Sequence, residues 1–272
     1  MPFTPTNKVV LITGASSGIG KVCAELLSLK GHTVYGTSRK PSAEKLSYEM
    51  IEMDVNDEDA IKAGISHIVD NEGRLDVVVN NAGMGVAGAL EDTSVEELKF
   101  QFETNFFGAF RVCRAALPTM RAQGFGYLIN ISSLAGLIGI PFQGAYSASK
   151  FALEGLTEVL RMEVKPFGIR TVLVEPGDFN TGFTNSRIKT QQSQTNTLYL
   201  DSFNKALQVM EEDETKGAKP DSIATLVDHI INNPSPRPRY GVGPRMQLFA
   251  VQLRKFVPAR LFEFIIMKTY KI

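Results

Sequence analysis

Tyr146 and Lys150 form the pair of side chains in this sequence with the clearest catalytic potential. They lie four residues apart in the stretch Gly144–Lys150, G-A-Y-S-A-S-K. In a helix of about 3.6 residues per turn, this spacing puts both side chains on one face. A free Tyr ionises near pH ~10, and a neighbouring positive charge favours the phenolate. Such a phenol can exchange a proton near neutral pH; the alternative is a surface Tyr packed on the aliphatic stem of a Lys.

A glycine-rich turn near the start of the chain predicts a nucleotide site. The apolar run Lys8–Thr13, K-V-V-L-I-T, is typical of a buried parallel strand. It leads into T-G-A-S-S-G-I-G at Thr13–Gly20, and a helical pattern follows. Glycines let the backbone approach a pyrophosphate closely, and a helix N-terminus offers free N–H groups to it. The order of strand, turn and helix favours dinucleotide binding over a plain glycine-rich turn.

The glycine spacing is G-x-x-x-G-x-G, not the G-x-G-x-x-G of many dinucleotide-binding enzymes. In this form the turn resembles the cofactor motif of the short-chain dehydrogenase/reductase family. Two further stretches resemble signatures of that family. They are N-N-A-G at Asn80–Gly83, which follows the apolar run D-V-V-V-N, and the Y-x-x-x-K pair of Tyr146 and Lys150. The resemblance covers about residues 8–242, with the motifs in the family's order.

The resemblance implies four catalytic residues. Tyr146 would exchange the proton, while Lys150 would lower the pKa of Tyr146 and hold the nicotinamide ribose. Ser133 lies thirteen residues before Tyr146, which is the family's usual spacing, so Ser133 rather than Ser132 is predicted to bind the substrate oxygen. Asn105, in T-N-F-F-G, matches the family residue that sits near the Lys and holds a water in a proton relay.

The resemblance also implies which residues contact the cofactor. Asp54 and the backbone N–H of Val55 would contact the adenine, and the P-G turn that ends at Thr181 would hold the carboxamide. The full predicted set is Gly14, Ser16, Ser17, Gly18, Ile19, Gly20, Ser38, Arg39, Asp54, Val55, Asn81, Ala82, Gly83, Tyr146, Lys150, Pro176, Gly177, Phe179 and Thr181.

The end of the second predicted strand, His32–Ser38, indicates which cofactor is used. A free ribose 2′-hydroxyl is usually bound by an Asp or Glu about 20 residues past the first glycines. Thr37, Ser38, Arg39 and Lys40 occupy this region, and none of them is acidic. Arg can hold a 2′-phosphate through two hydrogen bonds, whereas an acid would repel it. The prediction is therefore NADP(H), bound by Arg39 with help from Ser38; the alternative is that Arg39 and Lys40 are solvated loop charges.

Two stretches lie outside what the resemblance determines. Residues 184–197 are polar, and they are interpreted either as a loop that covers the substrate or as a disordered connector. Residues 245–272 hold six Lys or Arg against one Glu, together with many apolar side chains. Such a segment suits the surface of a membrane, a cap on the substrate pocket or an oligomer contact. The alternative for residues 245–272 is a helix packed on its own domain.

Apolar residues near the predicted site suggest an apolar lining, and the apolar tail fits a lipophilic substrate such as a steroid, a retinoid or a long-chain ketone. They follow Ser133 or Thr181 in the sequence. The predicted lining is Leu134, Leu137, Ile138, Ile140, Phe142 and Phe183.

The composition excludes several classes of protein. The 272 residues are 43% hydrophobic and 21% charged, as in a soluble globular protein with one large α/β domain or two small ones. The 29 basic residues balance 29 acidic ones, so no overall charge points to nucleic acid. The three His are scattered and predict no metal site, and two lone Cys suggest a reducing compartment. We see no signal peptide and no apolar run of about 20 residues, so the expected location is cytoplasmic.

Strand and helix patterns alternate along most of the chain. This predicts one doubly wound, Rossmann-like parallel sheet with helices on both faces. Residues 1–244 are the predicted dinucleotide-binding and catalytic domain, with a substrate loop at about 182–218 and a tail at 245–272. The implied activity is the NADP(H)-dependent interconversion of a carbonyl and a secondary alcohol, in an enzyme that is often dimeric or tetrameric. The alternatives are an NAD-linked alcohol dehydrogenase and a non-catalytic nucleotide-sensing protein with the same fold.

Overall fold

The structure, a computed structural model that describes residues 6–41 and 45–272, is built around a parallel sheet of seven strands. Their order across the sheet is β3-β2-β1-β4-β6-β7-β9, and β5 pairs separately with β8. The strands of the described residues are β1 (Val9–Ile12), β2 (Thr33–Ser38), β3 (Glu49–Glu52), β4 (Val77–Asn80), β5 (Val86–Ala87), β6 (Gly126–Ile131), β7 (Ile169–Pro176), β8 (Ile188–Lys189) and β9 (Arg239–Val242).

Helices cover both faces of this sheet. They are α1 (Gly18–Leu29), α2 (Glu58–Glu72), α3 (Val95–Phe102), α4 (Ala109–Gln123), α5 (Gly144–Val164), α6 (Phe183–Ser186), α7 (Leu200–Lys216), α8 (Asp221–Asn232), α9 (Arg245–Leu253) and α10 (Ala259–Thr269). A π-helical segment, Glu103–Gly108, joins α3 to α4. Among residues 6–41 and 45–272, no helix has both the length and the apolar character that crossing a bilayer requires.

Alternate residues of each strand pack into different cores. Val10 of β1 packs with Leu27 of α1 and Ile230 of α8 on one face. Its neighbour Leu11 packs on the other face, with Ile65 of α2 among its partners. Successive side chains of a strand point to opposite faces, and both faces are covered, so the strands read as uninterrupted apolar runs. This arrangement confirms the predicted doubly wound sheet.

The order of the strands reverses at β1. The chain runs from β1 outward to β2 and β3, then returns to β4 and continues through β6, β7 and β9. In open α/β sheets, ligands bind in the crevice beyond the carboxyl ends of the strands at such a reversal. The topology therefore places a crevice beside the turns that follow β1 and β4.

A buried hydrogen-bond network joins α5 to the middle of the sheet. Asn80 Nδ2 donates to Asn130 Oδ1 at 2.8 Å, so the network links β4 to β6. Asn130 Nδ2 donates in turn to Thr157 Oγ1, also at 2.8 Å. The Thr157 hydroxyl donates to the Leu153 carbonyl oxygen at 2.6 Å. Because both faces of this region are apolar, these polar groups hold α5 in one position against β6.

The polar stretch 184–197 is ordered, so the interpretation as a disordered connector is wrong. Thr190 and Ser193 are fully buried. Thr190 N–H donates to the Ala87 carbonyl oxygen at 2.9 Å, and Ser193 Oγ accepts from Ala89 N–H at 2.9 Å. Gly88 permits this approach, since a Cβ there would lie 2.0 Å from Thr190 Oγ1. The polar composition conceals the order because the buried hydroxyls and backbone groups satisfy one another.

The tail, residues 245–272, forms α9 and α10 and packs on the body of the protein. Val251 of α9 and Phe262 of α10 are buried in one cluster with Leu134 and Ile138. These last two residues follow β6, at the edge of the sheet where the crevice lies. The tail therefore covers the mouth of the crevice.

We expect Thr157→Val to lower the free energy of unfolding by about 1–3 kcal/mol, because it leaves the buried Asn130 amide without its acceptor. Urea denaturation would measure this loss. Thr225 is a matched control, since it makes the same local bond, to the Asp221 carbonyl oxygen at 3.0 Å, on an exposed face of α8. Thr225→Val should change stability by no more than about 0.5 kcal/mol. Equal losses in the two variants would contradict a stabilising role for the network.

Candidate active site

A cleft of about 980 Å³ opens at the carboxyl edge of the sheet. The turns after β1, β2, β4, β6 and β7 line it, together with α7 and the tail. Of the predicted site residues, all but Gly20 and Asn105 line this cleft. A second cleft of about 390 Å³, between α2 and α4, contains none of them.

The turn after β1 lies unusually close to the end of β4. Gly14 has φ +66°, and a Cβ on it would lie 2.9 Å from Ala82 Cα. A Cβ on Gly20 would lie 2.4 Å from the Gly14 carbonyl oxygen and 2.5 Å from Asn81 Nδ2. Gly20 is therefore required for packing beneath the turn, which explains why it does not line the cleft.

Thr13 and Asn81 bond the two turns together. Asn81 Nδ2 donates to the carbonyl oxygens of Thr13 at 2.9 Å and Gly14 at 3.1 Å. The Thr13 hydroxyl oxygen accepts from the N–H groups of Asn81 and Ala82, each at 3.0 Å. Side chains thus satisfy backbone groups of both turns, and the first residues of α1, Gly18 and Ile19, line the cleft, where a helix N-terminus can offer N–H groups to an anion.

Tyr146 lies in the first turn of α5, against the ring of Phe183 at a centroid separation of 5.6 Å. Burial raises the pKa of the Tyr146 phenol to about 12, and an interaction with the Ser133 hydroxyl acts in the opposite direction. The expectation that Lys150 lowers this pKa is therefore not met in the chain alone. Burial is the largest cause of the shift, so the phenol is protonated at neutral pH.

Lys150 is buried one turn further along α5. Its Nζ lies 5.8 Å from the centre of the Tyr146 ring and donates to the Ile131 carbonyl oxygen at 2.9 Å. Burial lowers the pKa of Lys150 to about 8, and the negative charge of Glu154 partly opposes this. Glu154 is in turn paired with Arg239, which also contacts Glu175 at 2.8 Å. Lys150 is thus a cation at neutral pH that can lose its proton under mildly basic conditions.

Ser133 follows β6 and places its hydroxyl beside Tyr146. Its Oγ accepts from Ala135 N–H at 3.1 Å and donates to the Pro176 carbonyl oxygen at 3.4 Å. These contacts hold the side chain at the wall of the cleft. Ser133, Tyr146 and Lys150 therefore come together at one site, although β6 and α5 supply them separately.

Asn105 lies in the π-helical segment and is almost fully buried. Its Oδ1 accepts from Met84 N–H at 2.9 Å, and its Nδ2 donates to the Met84 carbonyl oxygen at 3.0 Å and to Ser149 Oγ at 3.3 Å. The amide is therefore directed at the loop after β4 rather than at Lys150. Its observed contacts position that loop relative to α5, and its predicted role in a proton relay stays a prediction.

The residues along the cleft fit a dinucleotide. Ser38 and Arg39 follow β2, the Gly14–Ile19 turn follows β1, and Tyr146 lies beyond β6. Because β2 and β6 are three strand spacings apart, the ends of these two strands, which carry Arg39 and lead to Tyr146, are separated by roughly 14 Å across the sheet. Asp54 and Val55, which follow β3, also line the wall.

An acidic group that the motifs did not reveal borders the cleft beside Tyr146. Asp178 follows β7, and burial raises the pKa of its carboxyl to about 6. Gln247 of α9 holds it in place, since Asp178 N–H donates to Gln247 Oε1 at 3.0 Å and Gln247 Nε2 donates to Asp178 Oδ2. Asp213 and Glu214 of α7 line the same wall. No local signal in the sequence predicts that these acids lie together, because only folding brings α7 and the tail to Asp178.

The apolar lining is partly as predicted. Leu134, Ile138, Ile140 and Phe183 line the cleft. Leu137 and Phe142 do not, so that part of the prediction is wrong. Phe142 packs instead against Phe203 of α7 at 5.6 Å between ring centroids, and Leu137 packs in the cluster beneath the tail.

Comparisons with known proteins agree with this geometry. The family model described as short chain dehydrogenase matches residues 8–192. A 3-ketodihydrosphingosine reductase of Bacteroides thetaiotaomicron is 44% identical over 265 residues, which cover 97% of this chain and 98% of that protein. A short-chain dehydrogenase from Streptomyces avermitilis has a similar crystal structure, with a TM-score of 0.83 and 34% identity over 92% of this chain and 93% of that one.

A third similar protein carries a cofactor in its crystal structure. It is a short-chain dehydrogenase/reductase from Burkholderia phymatum in complex with NAD, with a TM-score of 0.80 and 25% identity. The alignment covers 93% of this chain and 94% of that one. The family match over most of the chain, the relatives and the shared fold confirm the resemblance found in the motifs, and the chain belongs to the short-chain dehydrogenase family, whose members are oxidoreductases that bind a nicotinamide cofactor.

Proposed function

We propose that this protein is an NADPH-dependent reductase of long-chain ketones. The observation that supports this most is the single cleft shared by Arg39, the glycine turn, the Tyr146–Lys150 pair and an apolar wall. Arg39, at one end of the cleft, can bind a 2′-phosphate. Tyr146, at the other end, can donate a proton to a carbonyl oxygen. The apolar wall and the tail favour a substrate with a long hydrocarbon chain.

The choice of NADPH over NADH rests on Arg39. This residue lines the cleft directly after β2, where an acid would favour a free 2′-hydroxyl. Its guanidinium can form two charge-assisted hydrogen bonds with a phosphate. Ser38 lies on the same wall and can add a hydroxyl to that site.

The residues around Tyr146 suit reduction. When bound, the cofactor supplies a hydride to the carbonyl carbon. The proton that completes the alcohol comes from Tyr146 Oη, and the raised pKa of Tyr146 ensures that the phenol carries this proton at neutral pH. The Ser133 hydroxyl donates to the carbonyl oxygen as negative charge develops there. The Lys150 ammonium stabilises the phenolate that remains after the transfer.

The acidic wall narrows the proposed substrate class. Arg187 pairs with Glu214 and neutralises it, so Asp178 and Asp213 leave the wall negative. A ketone that also carries an ammonium group would complement this charge. The Bacteroides relative is named for 3-ketodihydrosphingosine, the ketone of a long-chain amino alcohol. We propose a substrate of this class, a long-chain amino ketone.

Both cysteines support a reducing compartment. Cys23 and Cys113 are free and buried. Burial raises the pKa of each thiol to about 12, so both stay protonated and unreactive. Such thiols are typical of cytoplasmic proteins, and they support our proposal of a cytoplasmic location.

We expect the wild-type protein to oxidise NADPH when 3-ketodihydrosphingosine is added. Tyr146→Phe should lower kcat by about 10²–10⁴-fold, because it removes the general acid while keeping the ring packed on Phe183. Stopped-flow assays would measure turnover, and fluorescence titration would measure NADPH affinity, which should change little. Near-normal turnover in Tyr146→Phe would contradict the assignment, and NADPH binding without turnover on a broad ketone panel would indicate a nucleotide sensor.

Arg39→Ala should raise the KM for NADPH about 10–100-fold, because it removes charge-assisted hydrogen bonds that contribute about 1.5–3 kcal/mol. The KM for NADH should stay within a factor of about two. Lys40→Ala is the matched control, since Lys40 is the adjacent cation and does not line the cleft. If the wild-type enzyme prefers NADH, or if both variants behave alike, Arg39 does not bind a 2′-phosphate.

The pH profile of kcat/KM for NADPH, which reflects ionisations of the free enzyme, should fall as the pH rises through about 8. Lys150 has a lowered pKa, so its ammonium is present below that pH and is lost above it. Glu154→Gln should move this limb to lower pH, because the carboxylate of Glu154 favours the ammonium. Glu158→Gln is the control, since Glu158 also pairs with Arg239 and is not among the groups that shift the pKa of Lys150. Equal shifts in both variants would assign the limb to another group.

A further inference from the structure

The outer surface of the tail combines exposed apolar side chains with cations. In α10 the helical period places Arg260, Phe264 and Met267 on one face, with Leu261 and Lys268 beside them. Phe262 and Ile266 lie on the opposite face and pack on the body of the protein. Lys255 and Phe256 precede α10 and are exposed. We call the exposed set, Lys255, Phe256, Arg260, Leu261, Phe264, Met267 and Lys268, the tail surface.

The apolar members of the tail surface are strongly exposed. Phe256 is 82% exposed, Phe264 is 55% exposed, and Leu261 and Met267 are each nearly half exposed. Lys268 Nζ lies 5.6 Å from the centre of the Phe264 ring, so aromatic and cationic groups are intermixed. Adjacent exposed apolar groups of this size mark an interaction surface rather than a face that meets only water.

The charge of the tail indicates an anionic partner. Six cations against one acid give the tail a net charge of +5 on a chain that is otherwise −5. Lys271 interacts with Glu212 of α7, so we do not count it toward the surface. Lys255, Arg260 and Lys268 are exposed on the tail surface itself, and Glu263, the one acid of α10, is exposed beside them. Each cation near an anionic bilayer strengthens binding by about fivefold.

The tail surface is continuous with the mouth of the cleft. Met246 and Phe249 of α9 are 77% and 60% exposed, yet they line the same cleft as Tyr146. Ile265 and Ile266, from the inner face of α10, line it too. One pair of helices therefore presents apolar groups to the outside, to the rim and to the interior.

We propose that the tail surface docks on an anionic lipid bilayer and directs the mouth of the cleft toward the acyl chains. This proposal rests on the long-chain substrate proposed above. A helix with apolar and basic residues on its outer face suits the boundary between headgroups and acyl chains. The cations contact lipid phosphates, Phe256 and Phe264 enter the acyl boundary, and a long-chain ketone reaches Tyr146 past Met246 and Phe249 without crossing water.

A second copy of the chain suits this surface less well than a bilayer does. A symmetric dimer places the same patch of both protomers face to face. The cations of the tail surface would then meet those of the partner, and like charges at an interface oppose association. A bilayer that contains anionic lipid instead complements the cations and accepts the apolar groups at the same time.

Vesicle co-sedimentation of the full chain tests the proposal. We expect the wild-type protein to bind vesicles of phosphatidylcholine and phosphatidylglycerol (70:30) at least tenfold more tightly than pure phosphatidylcholine vesicles. The double variant Lys255→Glu/Phe256→Glu should lose at least tenfold of this binding. The matched control is Lys165→Glu/Phe167→Glu, which alters an exposed Lys and Phe in the turn before β7, at the opposite edge of the sheet. This control should bind like the wild type.

Turnover separates docking from catalysis. Lys255→Glu/Phe256→Glu should reduce a short, water-soluble ketone at the wild-type rate, because neither residue lines the cleft. It should reduce a long-chain ketone presented in anionic vesicles at least tenfold more slowly than wild type. Phe264→Glu, which alters a different member of the tail surface, should show the same pattern.

Three results would overturn the proposal. They are wild-type binding no tighter than that of Lys255→Glu/Phe256→Glu, equal loss in the Lys165→Glu/Phe167→Glu control, and a wild-type dimer in analytical ultracentrifugation that Lys255→Glu/Phe256→Glu dissociates. In each of these cases, loss of activity in Tyr146→Phe would still support the proposed function.

Conversely, vesicle binding by an enzyme that reduces no long-chain ketone would refute the proposed function. The docked bilayer would then serve another purpose than substrate entry.

Discussion

The close approach of the turns after β1 and β4 is the constraint on which the rest of the site depends. It requires Gly14 at a positive φ, no side chain at Gly20, and an Asn81 amide that bonds the carbonyl oxygens of Thr13 and Gly14. The sheet order reverses between these two strands, so the crevice opens where their turns meet. Every group proposed to act on cofactor or substrate is placed relative to this crevice.

Burial then determines the protonation of the catalytic pair. Tyr146 and Lys150 lie on one face of α5, and burial raises the pKa of the phenol while lowering that of the ammonium. Both shifts have one cause, since a charge is less stable away from water. The charged Lys and the neutral Tyr are the forms that reduction needs. Glu154, paired with Arg239, limits the fall in the pKa of Lys150 and so links β9 to the chemistry.

The tail connects the site to the exterior. Gln247 of α9 holds Asp178 beside Tyr146, while Phe262 of α10 packs beneath the rim. The same two helices expose Phe256 and Phe264. The tail thus supplies both a hydrogen bond inside the cleft and an apolar surface outside it. It can therefore link the entry of a substrate to the contacts that the substrate makes in the site.

The parallel sheet, the glycine turn and most of the predicted cofactor and catalytic residues that line the cleft could be read from the sequence. Their signals are local: apolar runs such as Val9–Ile12, glycines at fixed spacing, and a Tyr four residues before a Lys. It did not reveal the order in residues 184–197, since Thr190 and Ser193 are polar residues whose burial depends on bonds to Ala87 and Ala89.

The environment of each group depends on tertiary packing. The pKa of Tyr146 is raised although a Lys lies one helical turn away, because burial is a property of the packed molecule. Phe142 packs on Phe203 and Asn105 bonds Met84, contacts that no spacing along the chain predicts. Asp178, Glu214 and Gln247 converge from the turn after β7, from α7 and from α9. Spacing indicates which residues can act together within one element, whereas burial and the meeting of distant elements arise only when the chain folds.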